Sequence, residues 1–344
     1  MQAMVTVGQG GHEQLQYRSV PLPRPGPGEV LLRVRAAGIN ATDINTRVGW
    51  YAQADAEHAE GWNGVTPFPL IQGADCCGEV VGWGPDTEAA DWTAGARVLV
   101  RSCMRSHGFG QMDTRWLGTD FDGAFAQYVV VPAREVFAVN CRWTDAELAT
   151  IPCAYGTAEN MLQRAEVRAG EQVLVSGASG GVGSAVVQLA AARGAIVTAI
   201  TQHDKMDAVQ SLGARTVIAR GDRADHALAQ LQDRMDVVVD NVAGAGFGRM
   251  LAILRRGGRL VTSGAIAGAS VALDLRTLYL RDIRLLGCTA WSEEVFPRLI
   301  QAIETGALRP VLAATFALQD MAQAQQMFLE KKHTGNIVLL PDAP

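Results

Sequence analysis

The sequence has no long apolar run, no basic leader and no block of like charges. No stretch of about 18 apolar residues occurs, so no membrane-spanning helix is expected. The first residues, MQAMVTVGQGGHEQ, lack the basic start and apolar core of a secretory signal. The formal net charge of −5 provides no basic surface for nucleic acid. We therefore expect a cytoplasmic protein that binds neither membranes nor nucleic acid.

The chain also lacks a cysteine framework. None of its six cysteines forms a C-x-x-C pair. In a chain of 344 residues they are best interpreted as small buried apolar residues in a reducing compartment. Apolar residues make up 48% of the sequence, and this length predicts two domains with sizeable cores.

Short β-patterns fill the first part of the chain. Glycine and proline separate these runs, which is typical of a small barrel. The runs lie at residues 29–37, 78–82, 96–101 and 126–131. Two longer irregular stretches, 51–69 and 103–123, interrupt them, and loops of that length in a compact domain are usually functional or mobile.

From Thr144 onwards, strand and helix patterns alternate. Thr144 is predicted to cap a short helix over 144–149, with Glu147 as its capping-box partner. Nearly continuous apolar strands between helices predict a parallel sheet covered on both faces, which is a doubly wound α/β fold. Its strands are predicted at 172–176, 196–200, 216–219, 237–240 and 259–263, with helices such as 183–193 and 206–212. A strand from 283, a helix near 293–304 and a strand at 336–340 follow.

The strongest motif is a glycine-rich turn between a buried strand and a helix, within residues 173–191. It matches the dinucleotide fingerprint as A-x-G-x-x-G, where small residues let the backbone approach a pyrophosphate. The free N–H groups at the start of the helix suit the phosphates. The predicted loop contacts are Ala178, Ser179, Gly180, Gly181, Val182 and Gly183.

The end of the second strand of this fold selects the cofactor. NAD enzymes place an acid there to bind the ribose 2′-hydroxyl, but this chain has Thr201. Lys205 and Arg220 add cations that could bind a 2′-phosphate. We therefore predict NADP(H) rather than NAD(H), although the nearby Asp204 leaves NAD(H) open.

The whole chain resembles the medium-chain dehydrogenase/reductase superfamily. The segments that carry the resemblance are PGPGEVLLRVRAAGIN, PLIQGADCCGEVVGWG, the GGVG loop, DVVVDNVAG, GGRLVTSG and HTGNIVLLP. The resemblance implies a GroES-like β-barrel domain over 1–137, a Rossmann domain over 138–279, and a return to the barrel domain over 280–344. It also implies a cofactor in the cleft between the domains and a homodimer formed through an edge strand near 283–287.

The resemblance further implies that catalytic zinc is absent. At the three positions where the zinc branch has Cys, His and Cys ligands, this chain has Asn40, Ala74 and Cys153, with Asp75 beside Ala74. A catalytic zinc needs about three ligands of nitrogen, sulfur or oxygen type, and this is a poor set. The segment that normally supplies four structural cysteines has only Cys103. We predict no metal.

In the zinc-free branch, which resembles zeta-crystallin and other quinone oxidoreductases, an Asn, an Asp and a Tyr follow one another at fixed spacing. This chain has Asn40, Asp43 and Tyr51 at that spacing. They are our candidate catalytic residues, with Tyr51 as a substrate contact or proton donor. A structural alternative stays open, in which Asn40 caps a turn and Asp43 caps the following helix.

Further cofactor contacts are expected at the carboxyl ends of the later strands and at two positions indicated by the resemblance. One of these is Thr157, near the nicotinamide, and the other is Asn336, where relatives often have Lys. The full set is Thr157, Asn241, Val242, Ser263, Gly264, Ala265 and Asn336.

These features predict a zinc-independent, NADP(H)-dependent oxidoreductase that transfers a hydride to a small electrophile, either a quinone or an activated alkene. One alternative is a dehydrogenase or reductase that acts on alcohols and aldehydes. Another is an NADPH-binding protein without enzymatic activity.

Overall fold

The computed structural model describes residues 1–51, 60–61, 64–87 and 92–342, without the side chains at 60, 61, 64, 222 and 223. Part of the irregular stretch predicted at 51–69 therefore lies outside the described residues. By its internal contacts the chain divides into two compact units. The first combines Met1–Gly156 with Ser292–Pro344, and the second is Thr157–Trp291. Within the described ranges, no helix is long and apolar enough to cross a bilayer.

In the described residues of the N-terminal part, the chain forms short strands and three α-helices. Strands β1 to β12 are Gln2–Thr6, Leu15–Ser19, Glu29–Ile39, Glu60–Gly61, Gly64–Val65, Leu70–Ile71, Cys77–Trp83, Arg97–Val100, Cys103–Arg105, Thr114–Trp116, Tyr128–Pro132 and Val136–Ala138. Helices α1 to α3 are Ala41–Val48, Asp145–Leu148 and Pro152–Arg164. The predicted cap of α2 is confirmed, because Thr144 Oγ1 accepts the N–H of Glu147 at 3.2 Å. Glu147 in return accepts the N–H of Thr144 at 2.8 Å.

The second unit contains a six-stranded parallel sheet. Strands β13 to β18 are Gln172–Val175, Ile196–Thr201, Thr216–Ala219, Met235–Val239, Leu254–Thr262 and Arg284–Gly287. Helices α4 to α8 are Gly181–Ala192, Met206–Ser211, Asp222–Ala229, Phe247–Ala252 and Leu275–Leu280. The strand order is β15-β14-β13-β16-β17-β18, with every neighbouring pair parallel. This order confirms the doubly wound fold and places its topological switch point between β13 and β16.

The last part of the chain returns to the first unit. Its elements are α9 (Val295–Glu304), β19 (Leu312–Ala317), α10 (Met321–Glu330) and β20 (Asn336–Leu340). Strand β20 pairs antiparallel with β3, with Ile337 opposite Ile39. The resulting sheet has the order β12-β8-β7-β3-β20-β19, and β11 also pairs with β3. Short 3-10 helices lie at His12–Gln14, Ala133–Glu135, His203–Lys205, Gly244–Gly246 and Leu318–Asp320.

Each unit has its own apolar core. In the first unit the core side chains come from the inward faces of the strands and include Leu32, Val98 and Val129. In the second unit Leu174 and Val238 of the central strands pack with helix side chains such as Leu251. These cores hold the strand ends in place, and the candidate polar residues lie at those ends.

Candidate active site

Asn40 lies between strand β3 and helix α1 and caps that helix. Its backbone is extended, with φ −121° and ψ 162°. Its N–H donates to Asp43 Oδ2 at 2.7 Å, which is the reciprocal bond of a capping box. The helix cap is therefore Asn40 rather than Asp43, which lies at the third position of α1 and completes the capping box.

The Asn40 side chain reaches a second carboxyl group. Nδ2 of Asn40 donates to Asp75 Oδ2 at 2.7 Å, and the backbone N–H of Cys153 donates to Asp75 Oδ1 at 2.6 Å. Asp75 is fully buried, and its burial raises the pKa of its carboxyl group to about 8. The two hydrogen bonds oppose this shift, while the charge of Asp43 adds to it.

Asp43 is also buried, and it binds backbone rather than facing solvent. Besides the N–H of Asn40, its carboxylate accepts the N–H of Ala74 at 3.3 Å. Its own carbonyl accepts Gln72 Nε2 at 2.8 Å. Desolvation raises the pKa of Asp43 to about 7 against the effect of these bonds. Through these contacts, Asp43 fixes the start of helix α1.

Tyr51 follows α1 and is half-buried. Nδ2 of Asn45 lies 3.5 Å from its hydroxyl oxygen, and Thr42 also lies beside that hydroxyl. Burial raises the pKa of Tyr51, and the neighbouring Cys153 and Asp43 raise it further. The phenol therefore stays protonated at neutral pH and can donate a hydrogen bond. The structure thus places Asn40, Asp43 and Tyr51 in one polar cluster.

Sequence reasoning missed the central position of Asp75 in this cluster. Asp75 was considered only as a poor zinc ligand, although an acid inside the apolar run LIQGADCCGEVV was a signal of a buried partner. Gly38 was missed as well. A Cβ at position 38 would overlap Asp75 Oδ2 and lie 2.5 Å from the carbonyl oxygen of Ala149.

In the second unit, the predicted glycine-rich loop joins β13 to α4. Gly177 has φ +62°, a conformation that favours glycine, and Gly180 is the N-cap of α4. The first bond within the helix runs from Ser184 N–H to the Gly180 carbonyl. The N–H groups of 181–183 therefore have no acceptor within the helix and can bind an anion.

The groups predicted at a 2′-phosphate lie at the ends of neighbouring strands. The N–H of Arg220 donates to the Thr201 carbonyl at 2.7 Å. Burial lowers the pKa of Lys205, the charge of the adjacent Asp204 opposes this shift, and the positive charge of Arg220 adds to it, so both charges act on Lys205. Thr201 Oγ1 is buried, and among the described residues it has no hydrogen-bond partner. Arg220 is exposed at the surface.

Hydrogen bonds join the loops after β16 and β17 to each other and to the residue that follows β13. Asn241 Oδ1 accepts the N–H of Ser263 at 2.8 Å. Asp240 Oδ1 accepts the hydroxyl of Ser176 at 2.5 Å and the N–H of Val242 at 3.0 Å. Asp240, which the sequence did not single out, therefore orders the loops at the switch point. Ser263 and Gly264 are exposed, and Ala265 is half-buried.

The two remaining predicted contacts are buried. Thr157 lies in α3 at the first position of the second unit and is 9% exposed. Asn336 is 3% exposed, and its Nδ2 donates to the Thr150 carbonyl at 2.5 Å. This bond holds the turn before α3 against β20. A cofactor contact by Thr157 or Asn336 stays a prediction.

Comparison with known families places the chain in an enzyme superfamily. Residues 26–140 match the family described as alcohol dehydrogenase GroES-like domain, and residues 181–305 match the family described as zinc-binding dehydrogenase. Acryloyl-coenzyme A reductase of Metallosphaera sedula is 27% identical over 340 residues, which are 96% of this chain and 97% of that protein. Quinone oxidoreductase of Homo sapiens is 26% identical over 351 residues, with coverage of 96% and 95%.

Solved structures agree with this placement. A structure from Sinorhizobium meliloti 1021, assigned to the alcohol dehydrogenases, has a TM-score of 0.92 and 41% identity, covering 99% of this chain and 97% of that one. The 2-octenoyl-CoA carboxylase reductase CinF, solved with NADP and 2-octenoyl-CoA, has a TM-score of 0.83 and 26% identity, with coverage of 97% and 84%. The chain therefore belongs to the medium-chain dehydrogenase/reductase superfamily, in its quinone oxidoreductase-like branch, and is an enzyme of the oxidoreductase class.

Proposed function

We propose that this chain is an NADPH-dependent reductase that transfers a hydride to a quinone or to an activated alkene, such as an enone or an enoyl thioester. The proposal rests on the arrangement of two hydrogen-bond donors. Asn40 and the Tyr51 hydroxyl, two neutral hydrogen-bond donors, belong to one polar cluster built around buried carboxyl groups. Neutral donors suit a reaction in which negative charge develops on a substrate oxygen.

The same cluster does not fit a catalytic zinc ion. Zinc needs about three protein ligands of nitrogen, sulfur or oxygen type. Both oxygens of Asp75 already accept N–H groups, and Asn40 offers an amide that donates to one of them. In the parts of the chain that the structure describes, no group of three His, Cys, Asp or Glu side chains could hold a metal. We therefore derive no step through a metal.

The protein's own contribution is orientation and charge stabilisation. NADPH, when bound, supplies the hydride. Tyr51 would donate its hydroxyl proton in a hydrogen bond to the substrate oxygen, and its raised pKa keeps that proton in place. One hydrogen of Asn40 Nδ2 is donated to Asp75, so the second can be donated to the substrate oxygen.

The second unit would hold the cofactor. The N–H groups at the start of α4 suit the pyrophosphate, and the neighbouring cations Lys205 and Arg220 suit a 2′-phosphate. A phosphate between them would relieve their mutual repulsion. This pair supports NADP(H) over NAD(H). The NADP complex of CinF is consistent with it.

Cofactor oxidation by the purified protein tests the proposal. We expect NADPH oxidation with 1,4-benzoquinone, methyl vinyl ketone or crotonyl-CoA, and a full rate after treatment with a chelator. Stoichiometric zinc in the purified protein, together with loss of activity on chelation, would contradict the zinc-independent proposal. Tighter binding of NADH than of NADPH would contradict the cofactor assignment.

An alcohol or aldehyde substrate is the second candidate, because the Sinorhizobium meliloti structure is assigned to the alcohol dehydrogenases. The same assay separates the two candidates. Oxidation of benzyl alcohol or reduction of benzaldehyde, at rates well above those with enones and quinones, would favour this second candidate. Membership of an oxidoreductase superfamily favours either enzymatic candidate over an NADPH-binding protein without activity.

We also propose a homodimer formed through β18. This strand is at the edge of the parallel sheet, and exposed apolar side chains accompany it, among them Leu275, Tyr279 and Leu285. An open edge with an apolar surface favours strand pairing between two copies. Sedimentation should show a dimer, and Leu285→Asp should weaken it. The cytoplasmic location stays a prediction from the sequence.

A further inference from the structure

Asp75 lies where three separate segments of the first unit meet. It precedes β7, its Oδ2 binds the side chain of Asn40 at the start of α1, and its Oδ1 binds the N–H of Cys153 in α3. Both bonds are short, at 2.7 Å and 2.6 Å, and the carboxyl group is fully buried. Each carboxyl oxygen therefore accepts one hydrogen bond from a different segment.

Packing prevents the carboxyl group from moving away. A Cβ at Gly38 would overlap Asp75 Oδ2, so the backbone of β3 closes directly against this oxygen. On the other side, the N–H of Cys153 holds Oδ1. The carboxyl group can therefore neither rotate nor retreat without breaking a contact, and Oδ2 stays aimed at the Asn40 amide.

A carboxylate can accept a hydrogen bond but cannot donate one, so it selects the nitrogen end of the amide that faces it. The backbone of Asn40 is fixed separately by the bond from its N–H to Asp43 Oδ2 at 2.7 Å. With the backbone held there, two contacts orient the carboxamide: Asp75 accepts from its nitrogen, and the capping box brings its other end to the N–H of Asp43. We propose that Asp75 is a positioning residue, whose carboxyl group decides which end of the Asn40 amide faces the substrate. This role rests on the reductase function proposed above.

The protonation state of Asp75 links this orientation to pH. As a carboxylate, Asp75 accepts from Nδ2, as in the structure. As an acid, Asp75 donates its O–H to the amide oxygen of Asn40 instead. The carboxamide is then reversed, with its oxygen facing Asp75. The groups around it are Asp43 from α1, the thiol of Cys76 next in the chain, and Cys153 from α3. Burial raises the pKa of Asp75 to about 8, so the orientation in which Nδ2 faces a carboxylate is the one present above that pH.

A double-mutant cycle tests whether Asp75 acts through Asn40. In Asp75→Asn, the new amide oxygen still accepts the Cys153 N–H, but the new amide nitrogen donates to Asn40. The Asn40 carboxamide is therefore held in the reversed orientation at every pH. At a pH above the pKa of Asp75, we expect kcat with methyl vinyl ketone to fall about tenfold while the NADPH dissociation constant is unchanged. In the Asn40→Ala background, the same change should alter kcat less than about twofold. An equal fall in both backgrounds, or no fall with Asn40 present, would overturn the proposal.

The neighbouring variant Cys76→Ala is the matched control, because it disturbs the same buried segment and leaves the carboxyl group intact. It should keep the wild-type pH profile of kcat, whereas Asp75→Asn should flatten that profile. Thermal melting confirms that each variant is folded.

A second readout does not need activity. The side-chain amide signals of Asn40, assigned by their loss in Asn40→Ala, should shift with pH in the wild-type protein. They should not shift in Asp75→Asn. If the wild-type protein reduces no acceptor, the proposed reductase function fails, and these signals alone decide the positioning role. If the Asn40 signals of the wild-type protein do not shift with pH, the positioning role of Asp75 is contradicted.

Discussion

Gly183 packs against Gly177 so closely that a Cβ at position 183 would overlap the Gly177 carbonyl oxygen and lie 2.8 Å from the Cα of Ala178. The first turn of α4 and the loop after β13 are therefore in direct backbone contact. This contact positions the N–H groups that we assign to the pyrophosphate.

Gly183→Ala should abolish NADPH binding, because the new methyl group pushes the start of α4 away from the loop. Titration by fluorescence measures the loss, and we expect at least a hundredfold rise in the dissociation constant. Gly248→Ala in α7 is the control, since a Cβ there meets nothing within 4 Å. It should leave binding unchanged and raise stability by up to about 1 kcal/mol. Wild-type affinity in Gly183→Ala would remove the loop from the cofactor site.

Tyr51→Phe should lower kcat by about two orders of magnitude with an enone, because the substrate oxygen loses a hydrogen-bond donor. The affinity for NADPH should not change. Tyr17→Phe is the matched control, because Tyr17 is 41% exposed on β2 and we assign it no role in the site. Full activity of Tyr51→Phe would remove this hydroxyl from the mechanism.

Arg220→Gln combined with Lys205→Gln should weaken NADPH binding about tenfold or more while hardly changing NADH binding. The reason is that a 2′-phosphate loses charge-assisted hydrogen bonds, and NADH has no such group. Arg215→Gln, an exposed cation just before β15, provides the control and should change neither affinity. A parallel loss for both cofactors would indicate a role other than selection of the phosphate.

Stability should fall as pH rises from about 4 to about 8. Burial raises the pKa of Asp43 to about 7 and that of Asp75 to about 8, and it also raises the pKa of Glu135. The folded state therefore binds more protons than the unfolded state across this range. The stability contributed by the protonated carboxyl groups is complete below the unfolded pKa near 3.8 and is lost as pH passes the folded values.

Urea unfolding at several pH values measures this dependence. Asp75→Asn should reduce its slope, because one of the groups no longer titrates. A stability that rises over the same range would show that these carboxyl groups are ionised and well solvated in the folded protein.

Local patterns were enough to predict the second unit. The strand–loop–helix around Gly183 and the alternating strands determined the sheet, and the observed strand order agrees with the doubly wound fold. The capping box of Thr144 and Glu147 was predicted because its partners are three residues apart. These features depend on neighbours in the chain.

Contacts between distant segments could not be predicted in the same way. The bond from Asn40 to Asp75 joins residues 35 positions apart, and the bond from Ser176 to Asp240 joins residues 64 apart. Neither has a periodic signature. The burial of the Thr201 hydroxyl was also invisible, because it depends on how β14 packs between β13 and β15.

The pairing of β20 with β3 sets an order for folding during synthesis. All six strands of the parallel sheet have been made once Gly287 leaves the ribosome tunnel, so the second unit can close first. Residues Ala37–Ile39, which lead into Asn40, find their β20 partners only when Ile337–Leu339 have been translated. The polar cluster is thus among the last parts of the protein to mature, and a chain that ends at Gly335 should have a folded second unit and an incomplete first unit.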